Sequence, residues 1–217
     1  ERLAFGPLTL DLIQVGGQTV ISDFYEDLSK VEVKRVQGAR SQACDFWSGR
    51  GWYCLKGRSA ESVRACLNET TAARLKRHRR RSNPSCGLDP LLNVSRDIRV
   101  IGAMPRRCVW VHPVAGKTVV VKWPGVSLGK ELIIDHGFTD KVTTDNYLKE
   151  TRAHPISVRM LKNGELLGEH VIAPESGWRR WTVPTQAGQG DIQFEFTTQA
   201  HLDAHLCIDV TSRGARP

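Results

Sequence analysis

The sequence predicts a mainly β protein: an antiparallel β-sandwich, preceded by a disulfide-containing N-terminal region that carries one or two short helices. Three observations carry this reading. From residue 97 onward, short alternating segments follow one another at the spacing of sandwich strands. Two of them are joined by Lys162-Asn163-Gly164-Glu165, the Asn-Gly signature of a type I′ hairpin turn. Six cysteines, at 44, 54, 66, 86, 108 and 207, include no Cys-x-x-Cys and read as a disulfide framework rather than as structural zinc ligands.

The 217 residues are 40% hydrophobic and 25% charged, so the chain can bury a core without help from metals. Two regions are expected: 1–95, a strand and helix region with a cysteine-rich loop and a basic run, and 96–217, the sandwich. In the first, Leu8, Leu10 and Leu12 alternate with Thr9 and Asp11, Gly16-Gly17 marks a turn, and Thr19 to Ile21 and Val31 to Val36 read as further strands. Residues 38–58 form a loop holding Trp47 and Trp52. It reads first as a satellite core around a disulfide, and second as a stacking platform for a sugar or peptide. Residues 59–81 read as helical, with Ser59 as cap and Val63, Cys66 and Leu67 on one face. Asn68 to Thr71 is expected to break that stretch into two helices.

In the second region, Ile156, Val158 and Met160 share one strand face, as do Ile192, Phe194 and Phe196, and Leu206, Ile208 and Val210. Nearest-neighbour logic pairs Cys44 with Cys54 and Cys66 with Cys86, leaving Cys108 for Cys207. Loop entropy makes the short bridge worth ~3 kcal/mol and the long one nearly ~5 kcal/mol. If the strands of Cys108 and Cys207 are antiparallel neighbours with the cysteines in register, Arg106 meets Asp209, Trp110 meets His205 and His112 meets Asp203. A diagonal bridge is the alternative.

The order of the later segments resembles a known architecture. Ile156 to Glu165 form an alternating hairpin, Gly177-Trp178-Arg179-Arg180-Trp181-Thr182-Val183 follows, and Asp191 to Thr197 comes next. Over residues 97–212 this is similar to galactose-binding-like β-sandwiches, the jelly rolls of many bacterial carbohydrate-binding modules. The resemblance implies a jelly-roll fold whose closing strand lies near its first. It implies that polar loops such as Asp135 to Asp140 line a ligand cleft or hold a structural calcium. It also admits an accessory domain of a membrane-bound glycosyltransferase.

The candidate ligand-binding residues are Trp178, Arg179, Arg180, Trp181, Asp135, His136, Trp47 and Trp52. Strand alternation puts Trp178 and Arg180 on one side, and Arg179 and Trp181 on the other. No cofactor is expected. The weak metal candidates are Asp135 and Asp140 for calcium, and His201 and His205, with Asp203 between them and His112 opposite, for zinc. No nucleophile elbow, zinc-protease helix, phosphate loop or dinucleotide fingerprint occurs, so catalysis is not expected.

The net charge of +8 is local. Arg74, Lys76, Arg77, Arg79, Arg80 and Arg81 lie in eight consecutive positions, and without them the chain is only +2. This run reads as a solvated face, or as a contact to an anionic glycan or membrane surface. Nucleic acid is disfavoured, because no aromatic platform or DNA-binding motif accompanies the run. Disulfides require an oxidising compartment, so the expected location is periplasmic, cell-surface or secreted. Membrane association would be peripheral or through a removed anchor. Together these features describe a non-catalytic extracytoplasmic binding module for glycan or anionic envelope components. The alternative is a protein–protein or structural domain of a larger envelope assembly.

Overall fold

The computed structural model describes residues 2–5, 8–11, 18–55, 59–76, 86, 93–143, 154–199 and 204–215. The N-terminal strands are β1 (Arg2–Phe5), β2 (Leu8–Asp11), β3 (Gln18–Asp23), β4 (Glu32–Gln37), β5 (Arg40–Ala43), β6 (Phe46–Trp47) and β7 (Gly51–Tyr53). After helix α1 (Ala60–Lys76) come β8 (Asn93–Ile101), β9 (Met104–Val111), β10 (Thr118–Leu128) and β11 (Glu131–Phe138). The short helix α2 (Asp140–Thr143) precedes β12 (Ile156–Lys162), β13 (Glu165–Ile172), β14 (Arg179–Pro184), β15 (Gly188–Thr198) and β16 (Leu206–Ala215).

β1 and β2 form a separate antiparallel pair. The other strands build two antiparallel sheets. One runs β13-β12-β15-β10-β4-β5, and the other β14-β11-β16-β9-β8-β7-β6, with β3 pairing the distal half of β16. The mainly β, antiparallel sandwich expected from strand spacing is therefore present. β3 and β4, from the N-terminal stretch, are hydrogen-bonded beside β16 and β10 in these same sheets.

The alternation explains the core. Ile156, Val158 and Met160 of β12, Ile192, Phe194 and Phe196 of β15, and Leu206, Ile208 and Val210 of β16 are all buried in one cluster between the sheets. Trp123 from β10 packs against Phe24 and Phe194, with ring centroids 5.2 and 5.8 Å away. Its buried indole N–H donates to the Phe24 carbonyl at 3.0 Å, so the one polar atom of that ring is satisfied. The β12–β13 turn has Asn163 at φ 52° and Gly164 at φ 87°, the paired positive values that a type I′ turn needs.

All three cysteine pairs match the nearest-neighbour expectation: Cys44–Cys54, Cys66–Cys86 and Cys108–Cys207. β9 and β16 are antiparallel neighbours, but their register differs from the in-register pairing. Cys207 lies opposite Trp110, and the bridge runs diagonally to Cys108, with Cα atoms 5.3 Å apart. Arg106 consequently does not meet Asp209. Instead Arg107 reaches Asp23 at 2.6 Å and Glu26 at 3.3 Å, with Asp209 at 3.8 Å. The expected Trp110–His205 contact survives as an edge-on ring pair 5.6 Å apart.

The helical stretch is one helix rather than two. Ser59 caps it, its Oγ accepting from the Ser62 N–H at 3.2 Å, and α1 continues through Asn68 to Thr71 without a break. Asn and Thr each cost a helix interior less than about 0.7 kcal/mol, and the Ala72-Ala73-Arg74-Leu75-Lys76 segment that follows favours continuation.

Candidate functional site

β13 and β14 are edge strands of opposite sheets, and they face each other. Strand parity decides what they present. On β14, Arg179, Trp181 and Val183 point toward the facing sheet, while Arg180 points outward; on β13, Gly168, His170 and Ile172 point inward. A Cβ on Gly168 would sit 2.9 Å from Trp181 Cζ2, so the indole can cross the strand only where a side chain is missing. Trp181 then stacks on His170, with centroids 5.2 Å apart and planes 21° apart. His170 in turn meets His136 of β11 at 5.1 Å.

Two members of this ladder, His136 and His170, line a cleft of about 360 Å³ together with Ile172, Glu175, Arg179 and Arg180 among others. A second cavity, of about 540 Å³, opens at the other end of the same strand pair, where Leu166 and Leu167 face Pro184 and Thr185. The strand pair therefore carries two concave regions, with the Trp181–His170 stack between them.

The polar groups of the first cleft are held in fixed geometry. Arg180 donates from Nε and Nη2 to the two oxygens of Asp135 at 2.7 and 2.9 Å, a bidentate fork on adjacent strands. That contact raises the guanidinium pKa. Arg179 Nη2 donates to Glu175 Oε2 at 2.8 Å. His136 is only 3% exposed, and neither of its ring nitrogens has a hydrogen-bond partner among the described residues. Burial, reinforced by the neighbouring His170, pushes its pKa down to about 4. At neutral pH the imidazole is therefore uncharged, with one donor and one acceptor nitrogen unengaged among the described residues.

Three of the sequence candidates, His136, Arg179 and Arg180, line this cleft; Trp181 lies behind His170, and Asp135 is held by Arg180. Strand alternation separates Arg180 from Arg179 and Trp181, as expected. Trp178 lies elsewhere, packed on the small cluster of Ile101, Cys108, Trp110 and Cys207. Trp47 and Trp52 are far along the sheet on β6 and β7. They tilt against each other at 5.3 Å, Trp52 donates to the Leu28 carbonyl at 2.7 Å, and Arg96 covers Trp47 at 5.9 Å. Both rings are partly buried and pack against the main core cluster, which also holds Cys44 and Cys54. His170, central to the ladder, is absent from the sequence candidates. Its parity with the apolar Ile172 on β13 was the available signal.

The calcium candidates have other engagements. Asp140 accepts from the backbone N–H groups of Gly102 and Ala103, both at 2.7 Å, and so closes the β8–β9 turn. Asp135 is held by Arg180. No group of three or more metal-ligating side chains occurs among the described residues. His205 packs edge-on against His112 at 4.9 Å, while His201 and Asp203 lie outside the described residues. So do Arg77, Arg79, Arg80 and Arg81 of the basic run, and the side chains of Arg74 and Lys76 are likewise not described.

No protein-family model matches the chain, and no curated protein sequence matches it significantly. Several solved structures are similar to parts of it. One is a family 51 carbohydrate-binding module from a Clostridium perfringens family 95 glycoside hydrolase, in complex with methyl-galactose. It is 10% identical, spans 54% of this chain and 79% of its own, and has a TM-score of 0.36. The tandem family 51 modules of a Streptococcus pneumoniae family 98 glycoside hydrolase are 11% identical over 56% of this chain and 36% of theirs, with a TM-score of 0.38. A family 36 module of a multidomain xylanase from the hindgut metagenome of Trinervitermes trinervoides is 17% identical over 57% and 92%, with a TM-score of 0.31. All three scores fall below 0.5, and nothing about ligand or activity follows from them.

Proposed function

We propose that the chain is a non-catalytic binding module for glycan, acting outside the reducing cytosol, and that the cleft between β13 and β14 is its ligand site. The observation that carries this reading is His136: a neutral, buried imidazole with both nitrogens unengaged among the described residues, in a cleft also lined by His170, whose ring is stacked on Trp181. Aromatic faces suit the C–H surface of a sugar ring. Imidazole nitrogens and the fixed Arg179–Glu175 and Arg180–Asp135 pairs suit its hydroxyls. Both carboxylates are tied to arginines, so neither is free to act as a proton donor or nucleophile. Three disulfides support an oxidising location. No helix among the described residues is long and apolar enough to cross a membrane. In this reading the basic run at 74–81 adds a salt-sensitive contact to anionic envelope components.

The test is a glycan array spanning neutral and acidic sugars, followed by calorimetric titration of the best ligand. His170→Ala and Trp181→Ala should each weaken binding by about 10-fold or more, roughly 1.4 kcal/mol. Wild-type affinity in both variants would reject the cleft as the site.

One observation favours a second reading, a protein–protein or structural domain. Near the tip of the β8–β9 hairpin, Ile98 and Val100 share one face of β8 and are 66% and 49% exposed. Apolar residues grouped in this way mark contact surfaces. Capture of a partner that is lost on Ile98→Lys, together with a blank array, would favour this reading over the first.

A further inference from the structure

At the opposite edge of the six-stranded sheet from the cleft, the core-facing row changes character. On β10 it runs Trp123, Val121, Val119 and then Lys117; on β4 it runs Val33, Arg35 and Gln37. Ladder partners share a face. Arg35 lies opposite both Val119 and Gln42, and Gln37 lies opposite Arg40. Three cationic and two amide side chains therefore continue a row that is otherwise apolar. They line a cavity of about 450 Å³, completed by Ser41.

We infer that this cavity is an oxyanion site for a sulfate or phosphate group, separate from the proposed glycan cleft. No carboxylate occurs among the described residues that line it. Arg35 is only 6% exposed and is engaged within the protein as well. Arg40 and Lys117 converge from β5 and from the residue before β10, and like charges lining one concavity focus a positive field into it. Arginine forks match the planar oxygen pairs of sulfate and phosphate. Gln37 adds a neutral donor. Gln42 is turned partly away, its Nε2 donating to the Leu55 carbonyl at 3.2 Å. A wholly structural role would leave unexplained why the core row ends in three cations rather than in polar neutral groups.

The experiment compares the full chain in sodium sulfate, sodium phosphate and sodium chloride at matched ionic strength, by thermal shift and titration calorimetry. Methyl sulfate and methyl phosphate form two further arms that separate the two sources of the group. Sulfate or phosphate should raise the melting temperature above that in chloride and bind at one site. Arg40→Gln/Lys117→Gln should weaken that binding at least 10-fold, and circular dichroism should show the sandwich intact. Lys117→Gln alone keeps the test decisive if the double variant misfolds. Equal behaviour in chloride, or unchanged affinity in the Arg40 and Lys117 variants, would each overturn the inference.

Discussion

His136 and His205 are both imidazoles packed against a second imidazole, and burial is the main cause that pushes each pKa down to about 4. In the unfolded chain each returns to about 6.5. Below neutral pH the unfolded chain therefore takes up two protons that the folded chain resists, and stability falls as pH drops from about 6.5 toward 4. Asp209 works the other way. Burial raises its pKa, so its protonation on acidification relieves a cost and offsets part of the loss at the lower end. A melting temperature roughly 4–8 °C lower at pH 5 than at pH 7 is expected, read by calorimetry at constant ionic strength. His136→Gln should flatten that profile, and an unchanged slope would show that His136 is not the titrating group. At this scale the sequence is partly legible. His136, Arg179 and Arg180, which line the cleft, were among the candidates on residue type and alternation. His170 was not, because a lone histidine on a strand looks like a surface residue until the facing sheet is known. Aromatic density at Trp47 and Trp52 does not distinguish a platform from rings packed on a core.

Among the elements, β16 carries the most connections. It pairs with β11 along Leu206 to Arg213, while its other edge is divided between β9 at Leu206 to Ile208 and β3 at Thr211 to Ala215. The β9 contact is thus only three residue pairs long, and the Cys108–Cys207 bridge anchors it. Cys108→Ser/Cys207→Ser should cost roughly 2–5 kcal/mol in denaturant unfolding, because the lost cross-link frees a loop of 99 residues. A loss below about 1 kcal/mol would mean that the ladder alone fixes these strands. That β9 and β16 are antiparallel neighbours was readable from cysteine parity. Their two-residue offset was not, because parity is the same in both registers and only the packing of Trp110 against His112 and His205 separates them. Likewise α1 runs through Asn68 to Thr71, because local propensity differences of tenths of a kcal/mol do not decide a break.

For the whole molecule, periodicity was sufficient to predict an antiparallel sandwich, since β12, β15 and β16 each send alternate residues into one core. Periodicity does not say which edge strands face each other, and that is the information that creates both concave sites. The β13 edge of the six-stranded sheet meets β14 in an aromatic, neutral cleft, and the β5 edge of the same sheet ends in cations. The molecule is in this sense a two-layer scaffold with a concave region at each of these two edges. The most direct test of its central claim is a titration of isotope-labelled protein with the tightest glycan from the array, followed by two-dimensional NMR. The indole signal of Trp181 and the imidazole signals of His170 and His136 should shift together and saturate at one site, while the indoles of Trp47 and Trp52 stay in place. Shifts confined to the β8–β9 hairpin, or none along β13 and β14, would contradict it.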